Sequence, residues 1–284
     1  MSKLKVAELF YSIQGEGRFM GVPSVFLRVF GCNFKCEGFG MPKGEKSDEY
    51  IKINPDNYTS YNDLPLVSTG CDSYASWDPR FKHLSPVLST DSIADAIVDM
   101  LPYKKWQDEH LVITGGEPLL GWQRAYPDLI LEDRMIACKD ITFETNGTQD
   151  VTPEFGEALN EWSKIIVGNY KPKEVTFSVS PKLSVSGEKW DDAIKPEIVS
   201  DYQRHGHVYL KFVISAEEHM EEVEEAVNAY RKAGFNGSVY LMPVGGVERV
   251  YALNNRNVAE LAMRKGYRYS DRLQIPLFKN AWGT

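Results

Sequence analysis

Ser24-Val25-Phe26-Leu27-Arg28-Val29-Phe30-Gly31-Cys32-Asn33-Phe34-Lys35-Cys36 is the stretch on which the reading of this chain turns. Residues 24–29 are mostly apolar and β-branched, so they predict a strand, and Gly31-Cys32 marks its end. Segments of the same character recur at 111–114, 141–144, 175–179, 208–214 and 238–242. Between them lie helical patterns. In residues 91–101, Ile93, Ala94, Ile97 and Val98 share one face, with Thr90 or Asp91 as cap. Residues 216–233 predict a long acidic amphipathic helix stopped by Gly234, and 255–265 another stopped by Gly266. Strands alternating with helices predict βα units and a parallel sheet. The expected fold class is α/β, a partial (β/α) TIM-like barrel whose site gathers at the carboxyl ends of the strands.

Outward from this core, composition narrows the function classes. Apolar residues make up 43% of the 284 residues and charged residues 25%, values ordinary for a globular chain, so whole-chain disorder is excluded. No apolar stretch approaches the roughly 20 residues a membrane span needs. Asp and Glu number 40 against 32 Lys and Arg. That balance argues against an extensive nucleic-acid surface while leaving room for a compact cationic pocket. The N-terminus carries no apolar signal core, which predicts a cytoplasmic protein. In such a compartment, four cysteines are read as metal ligands or catalytic groups before disulfides. One stretch, 37–70, lacks any period and is rich in Gly, Pro, Asn, Asp and Ser. We read a single domain, 1–284, with 37–70 inserted as a functional segment or a mobile lid.

Five groups of residues carry chemistry. Cys32 and Cys36, on a loop after a strand, read either as small buried residues or as thiolates converging on a soft metal centre. Ile113-Thr114-Gly115-Gly116-Glu117-Pro118 reads as a strand-to-helix turn whose glycines let backbone approach a ligand. Phe143-Glu144-Thr145-Asn146-Gly147-Thr148 is a strand closing on an Asn-Gly turn. In Ser178-Val179-Ser180-Pro181-Lys182, proline draws Ser180 towards an extended conformation, beside a lysine. Arg28 is the one guanidinium in an apolar strand, either surface-facing or a fork for a carboxylate.

In order along the chain, these motifs resemble the 7-carboxy-7-deazaguanine synthase family of radical S-adenosylmethionine (SAM) enzymes. The likeness runs from Ser12-Ile13-Gln14-Gly15-Glu16-Gly17 through Arg28 and Gly31-Cys32-Asn33 to the aromatic C-terminus. It implies a [4Fe–4S] cluster on three thiolates with SAM on the open iron. The family's third cysteine would fall at Phe39. Cys71, in Gly70-Cys71-Asp72-Ser73, stands in the family's context instead, so Cys32, Cys36 and Cys71 are the implied ligands and 37–70 lies inside the cluster loop. A long insertion is tolerable, since doubling a loop costs only about 0.6 kcal/mol. Cys138 is read as a core residue.

By the same resemblance, Gly70, Asp72, Gly116, Glu117, Ser180, Pro181 and Lys182 would contact SAM. Ile13, Gln14, Gly15, Glu16, Arg28, Thr114, Gln274 and Thr284 would hold the substrate, and Ser73 a Mg²⁺. Pro276 replaces a family histidine. The implied reaction converts 6-carboxy-5,6,7,8-tetrahydropterin into 7-carboxy-7-deazaguanine with loss of ammonia, in queuosine-type 7-deazapurine biosynthesis. A flavodoxin-like electron donor and a homodimer go with it, and no nucleic-acid contact. Two rivals are weaker. A glycyl-radical-enzyme activase would not need the Gln-Gly-Glu-Gly loop, Arg28 or Cys71-Asp72-Ser73. A zinc module would need paired cysteine knuckles that are absent from the sequence.

Overall fold

The structure is a computed structural model that describes residues 2–166 and 172–284. Its strands are β1 (Lys3–Ile13), β2 (Pro23–Val29), β3 (Val87–Ser89), β4 (His110–Gly115), β5 (Asp140–Thr145), β6 (Glu174–Val179), β7 (His207–Ile214), β8 (Val239–Pro243) and β9 (Arg268–Tyr269). They form one sheet in the order β3-β1-β2-β4-β5-β6-β7-β8-β9. From β2 to β9 every pairing is parallel, whereas β1 lies antiparallel to β2 and to β3. The sheet stays open between β3 and β9, so the barrel is partial.

All six strands expected from sequence are present, each within one or two residues. β1 was not foreseen, because Lys3, Lys5 and Glu8 break its apolar character; a bulge between Val6 and Glu8 shifts its register. The first helix, α1 (Thr90–Met100), is capped neither by Thr90 nor by Asp91. Ser89 Oγ accepts from Ser92 N–H at 3.1 Å. Next come α2 (Tyr126–Ile130), α3 (Pro153–Lys164), α4 (Trp190–Ala193) and α5 (Pro196–Tyr202). α6 (Met220–Lys232) opens later than expected, behind a 3₁₀ turn at Glu217–His219. α7 (Glu248–Lys265) opens earlier than expected, and Gly266 at φ +69° ends it in the left-handed conformation. A short α8 (Gln274–Phe278) lies near the C-terminus.

Alternation along the strands separates two faces. Leu27, Val29, Ile113, Phe143, Phe177, Leu210 and Leu241 point into one core with Ile97, Leu129, Trp162, Val223 and Leu261 of the helices. Rings run through it, with Phe143 stacked on Phe177 at 5.6 Å and Phe177 on Tyr202 at 4.6 Å. Each pair adds about 0.5–1.5 kcal/mol to its burial. The opposite face is polar at its carboxyl end. There Arg28 pairs in register with Thr114, and Glu144 with Ser178.

The 37–70 stretch is neither extended nor without a core. Tyr50, Tyr61, Leu64 and Val67 pack with Tyr74, Ala75 and Phe81, and Trp282 rests against them. Tyr61 donates to Ala75 O at 2.8 Å and Tyr74 to Pro65 O at 2.9 Å, which fixes the polar ends of these rings.

Candidate active site

A cavity of about 260 Å³ opens at the carboxyl ends of β2 and β4 to β8, where open α/β sheets place their ligands. Of the residues that the resemblance assigns to the cluster, SAM, substrate or Mg²⁺, every one except Glu117 and Pro181 lines it. Cys32, Cys36 and Cys71 share this cavity, packed with Phe34, Phe39 and Ala193. Cys138 lies apart, buried in the main core.

The three thiols are neighbours without forming a preassembled centre. Among the described residues, no group of three His, Cys, Asp or Glu side chains stands at metal-ligating spacing. Burial pushes the Cys32 thiol up to about 12 and the Cys71 thiol up to about 11, and raises Cys36 as well. Lys182 opposes burial at all three. A cation or metal among them is what would make the thiolates stable.

The glycine-rich loop meets the cysteine loop directly. A Cβ at Gly116 would stand 2.4 Å from Gly31 O and 2.7 Å from Cys32 Cβ, so no side chain fits there. Glu117 N–H donates to Gly31 O at 2.7 Å. Glu117, which the resemblance assigns to SAM, lies outside the cavity lining. Its fully buried carboxylate accepts from Thr145 Oγ1 at 2.7 Å, Asn146 N at 2.6 Å and Leu119 N at 3.0 Å. What the loop offers the cavity is the Gly115-Gly116 main chain. Asn146 Nδ2 donates to Asn33 Oδ1 at 2.8 Å, which ties the Asn-Gly turn to the cysteine loop. Pro181 is buried behind the cavity wall, while Lys182 Nζ donates to Ser180 Oγ at 3.0 Å.

Charge dominates the remaining wall. Arg28 faces inward and donates from Nε to Glu8 Oε2 at 2.8 Å and from Nη1 to Ser73 Oγ at 3.2 Å. The other Glu8 oxygen is buried without a partner. Gln14 donates to Glu144 Oε1 at 3.1 Å and accepts from Glu16 N–H at 3.0 Å. The Glu16 carboxylate is taken up by the protein: Lys211 Nζ reaches it at 2.5 Å, Gln274 Nε2 at 2.9 Å and Arg272 Nε at 3.2 Å. Burial works against its charge, yet Lys211 and Arg272 hold it down to about 2. Asp72 pairs with Arg272 Nη2 at 2.5 Å, so its carboxylate too is engaged within the chain. Gly15 packs on Gln274, whose own Oε1 is buried and unpartnered. Ala281, Trp282 and Thr284 complete the wall.

Sequence reading missed Glu8, Lys211 and Arg272. Lys211 carries the same signature as Arg28, one cation inside an apolar run, and was legible on that ground. Glu8 sits on the unforeseen β1, and nothing local marks Arg272.

An open α/β barrel with a cysteine-bordered, charge-lined cavity at the strand ends is the arrangement that the radical SAM class of enzyme requires. No protein-family model matches the chain. The 7-carboxy-7-deazaguanine synthase of Halobacterium salinarum is 30% identical to it, across 98% of this chain and 91% of the relative. The synthase of Pyrobaculum aerophilum is 27% identical, across 99% and 97%. The crystal structure of QueE from Escherichia coli covers 95% of this chain and 94% of its own at a TM-score of 0.55 and 19% identity, a likeness of fold. The chain belongs to the 7-carboxy-7-deazaguanine synthase family. It is a radical SAM enzyme of 7-deazapurine biosynthesis, and the glycyl-radical-activase alternative is not favoured.

Proposed function

We propose that this chain converts 6-carboxy-5,6,7,8-tetrahydropterin into 7-carboxy-7-deazaguanine with loss of ammonia, as one domain with 37–70 inserted in its cluster loop. The observation that carries the reading is the shared cavity, which borders three soft thiol donors, a bare Gly-Gly main chain and four cationic side chains, among them Arg28 and Lys182. That donor set fits a [4Fe–4S] cluster held by Cys32, Cys36 and Cys71. When bound, cluster and SAM would supply the radical that starts ring contraction, given one electron from a flavodoxin-like donor.

The chain's own residues then bind and orient. Gly116 main chain and Ser180 would receive the SAM amino acid moiety, with Lys182 beside its carboxylate. Arg28 would keep Glu8 on one edge and turn its free Nη2 edge to the substrate carboxylate, a charge-assisted contact. Thr114, in register beside Arg28, and Gln274 would meet the pterin's polar atoms. Ser73 Oγ, between Arg28 and Asp72, is the proposed protein ligand of a Mg²⁺, which takes oxygen donors and keeps most of its waters.

The test is anaerobic reconstitution with iron and sulfide, followed by reductant, SAM and the carboxypterin. The 7-carboxy-7-deazaguanine product is expected. Its absence, with SAM still cleaved, would overturn the substrate assignment. Arg28→Ala should abolish product formation and leave uncoupled SAM cleavage measurable. Ser73→Thr should keep Mg²⁺ stimulation and Ser73→Ala should lose it; equal stimulation in both would place the metal elsewhere.

A further inference from the structure

Arg272 is 8% exposed and uses every edge of its guanidinium. Nε donates to Glu16, Nη1 to the Gly245 carbonyl and Nη2 to Asp72. The partners are 256 and 200 residues away for Glu16 and Asp72, so the contacts tie together the loop after β1, the residue following Cys71, and the turn after β8. A second observation lies at that turn. A Cβ on Gly246 would stand 3.0 Å from Val67 O and 3.1 Å from Asp72 Cβ, so the turn packs closely on the end of the 37–70 segment.

This arrangement answers a problem the insertion creates. Cys32 and Cys36 are placed by one short loop on β2. Cys71 follows only after 37–70, so local chain geometry cannot set its position, and a tertiary contact has to. We propose that Arg272 is a positioning residue for the third thiolate: by clamping Asp72 against Glu16 and Gly245 it holds Cys71 at the cavity. Lysine would not serve, because a point charge cannot satisfy two carboxylates and a carbonyl in fixed directions. The Asp72 and Glu16 carboxylates are thereby explained as anchors, and Lys211 supplies the second cation that balances the two anions. The proposal rests on Cys71 being a cluster ligand.

The experiment uses the full chain reconstituted anaerobically with iron and sulfide, then challenged with a chelator. Iron release is followed by the loss of cluster absorbance. Asp72→Asn, which is isosteric, and Arg272→Lys should each lose iron about tenfold faster than wild type, because each disrupts the Arg272–Asp72 pair next to Cys71. The double variant should be no faster than the faster single, as expected for two ends of one contact. Glu16→Gln lies one contact further from Cys71, leaves the Arg272–Asp72 pair and the Gly245 contact in place, and should stay within about threefold of wild type. Melting of the metal-free variants separates a lost fold from a lost tie, and if Arg272→Lys does not fold, Asp72→Asn decides. Unchanged iron release in Asp72→Asn, or equal acceleration by Glu16→Gln, overturns the proposal. Cys71→Ala should not hold the cluster and Cys138→Ala should. A Cys71→Ala protein that keeps its iron overturns the cluster assignment itself, an outcome distinct from failure of the Arg272 tie.

Discussion

Three donors meet the Glu117 carboxylate, two of them main-chain N–H groups of different loops. Removing a buried acceptor leaves those donors unsatisfied, at about 1–3 kcal/mol each. Glu117→Ala is therefore expected to cost about 3 kcal/mol or more and to lower the melting temperature of the metal-free protein by roughly 6–12 °C. It should also weaken SAM binding, since the Gly115-Gly116 main chain is set by this side chain. Calorimetry and SAM titration check both; a variant with wild-type melting and binding would show the carboxylate to be dispensable. At this scale the sequence was informative about residues whose chemistry contradicts their surroundings. Arg28 stands out in an apolar strand, and the cysteines follow a strand end. Glu117 was legible as a motif residue but not as a brace, because its partners Thr145 and Asn146 come from another strand end. Arg272 was illegible because its meaning lies in carboxylates 200 and 256 residues away.

Strands β2 and β4 to β8 were readable because each is buried on its helix-facing side, which demands a dense apolar, β-branched run. β1 escaped because half its residues answer to the site or to solvent, and β9, at two residues, has too little pattern to detect. The 37–70 stretch, whose composition marks an unpatterned insertion, holds only short 3₁₀ turns. What composition hid is that its few aromatic and aliphatic residues are spaced to meet Tyr74, Phe81 and Trp282. Replacing residues 44–67 by a short Gly-Ser linker would remove Tyr50, Tyr61, Leu64 and Val67 together. Single large-to-alanine changes in a core cost about 2–5 kcal/mol. Four at once would consume most of a typical stability of about 5–15 kcal/mol. The expected outcome is an aggregated or non-cooperatively melting protein, seen by light scattering and calorimetry. A soluble variant with a sharp transition would show the segment to be an accessory placed on a self-sufficient barrel.

Across the whole molecule, the two faces of one sheet solve different problems. The helix side supplies cohesion through apolar burial. The cavity side concentrates charge, with Glu8 on Arg28 and with Glu16 between Lys211 and Arg272. Charges withdrawn from water are tolerable only when paired, so the cavity wall should register as pH-dependent stability. Glu16 makes the case testable. Despite burial, Lys211 and Arg272 hold its carboxyl down to about 2, against about 4.3 in an unfolded chain. The sign follows from proton binding. Between these values the unfolded state binds the proton and the folded state does not, so stability rises with pH through this window. The contribution, about 3 kcal/mol, is complete above about pH 4.5 and is lost as pH falls towards 2. Denaturant unfolding of the metal-free wild type and of Glu16→Gln at pH 6, 4 and 3 isolates it, because other carboxylates cancel in the difference. That difference should be largest at pH 6 and shrink steadily with acid. A difference independent of pH would mean that Lys211 and Arg272 do not hold the Glu16 charge, and the cavity wall would then owe its order to the apolar face alone.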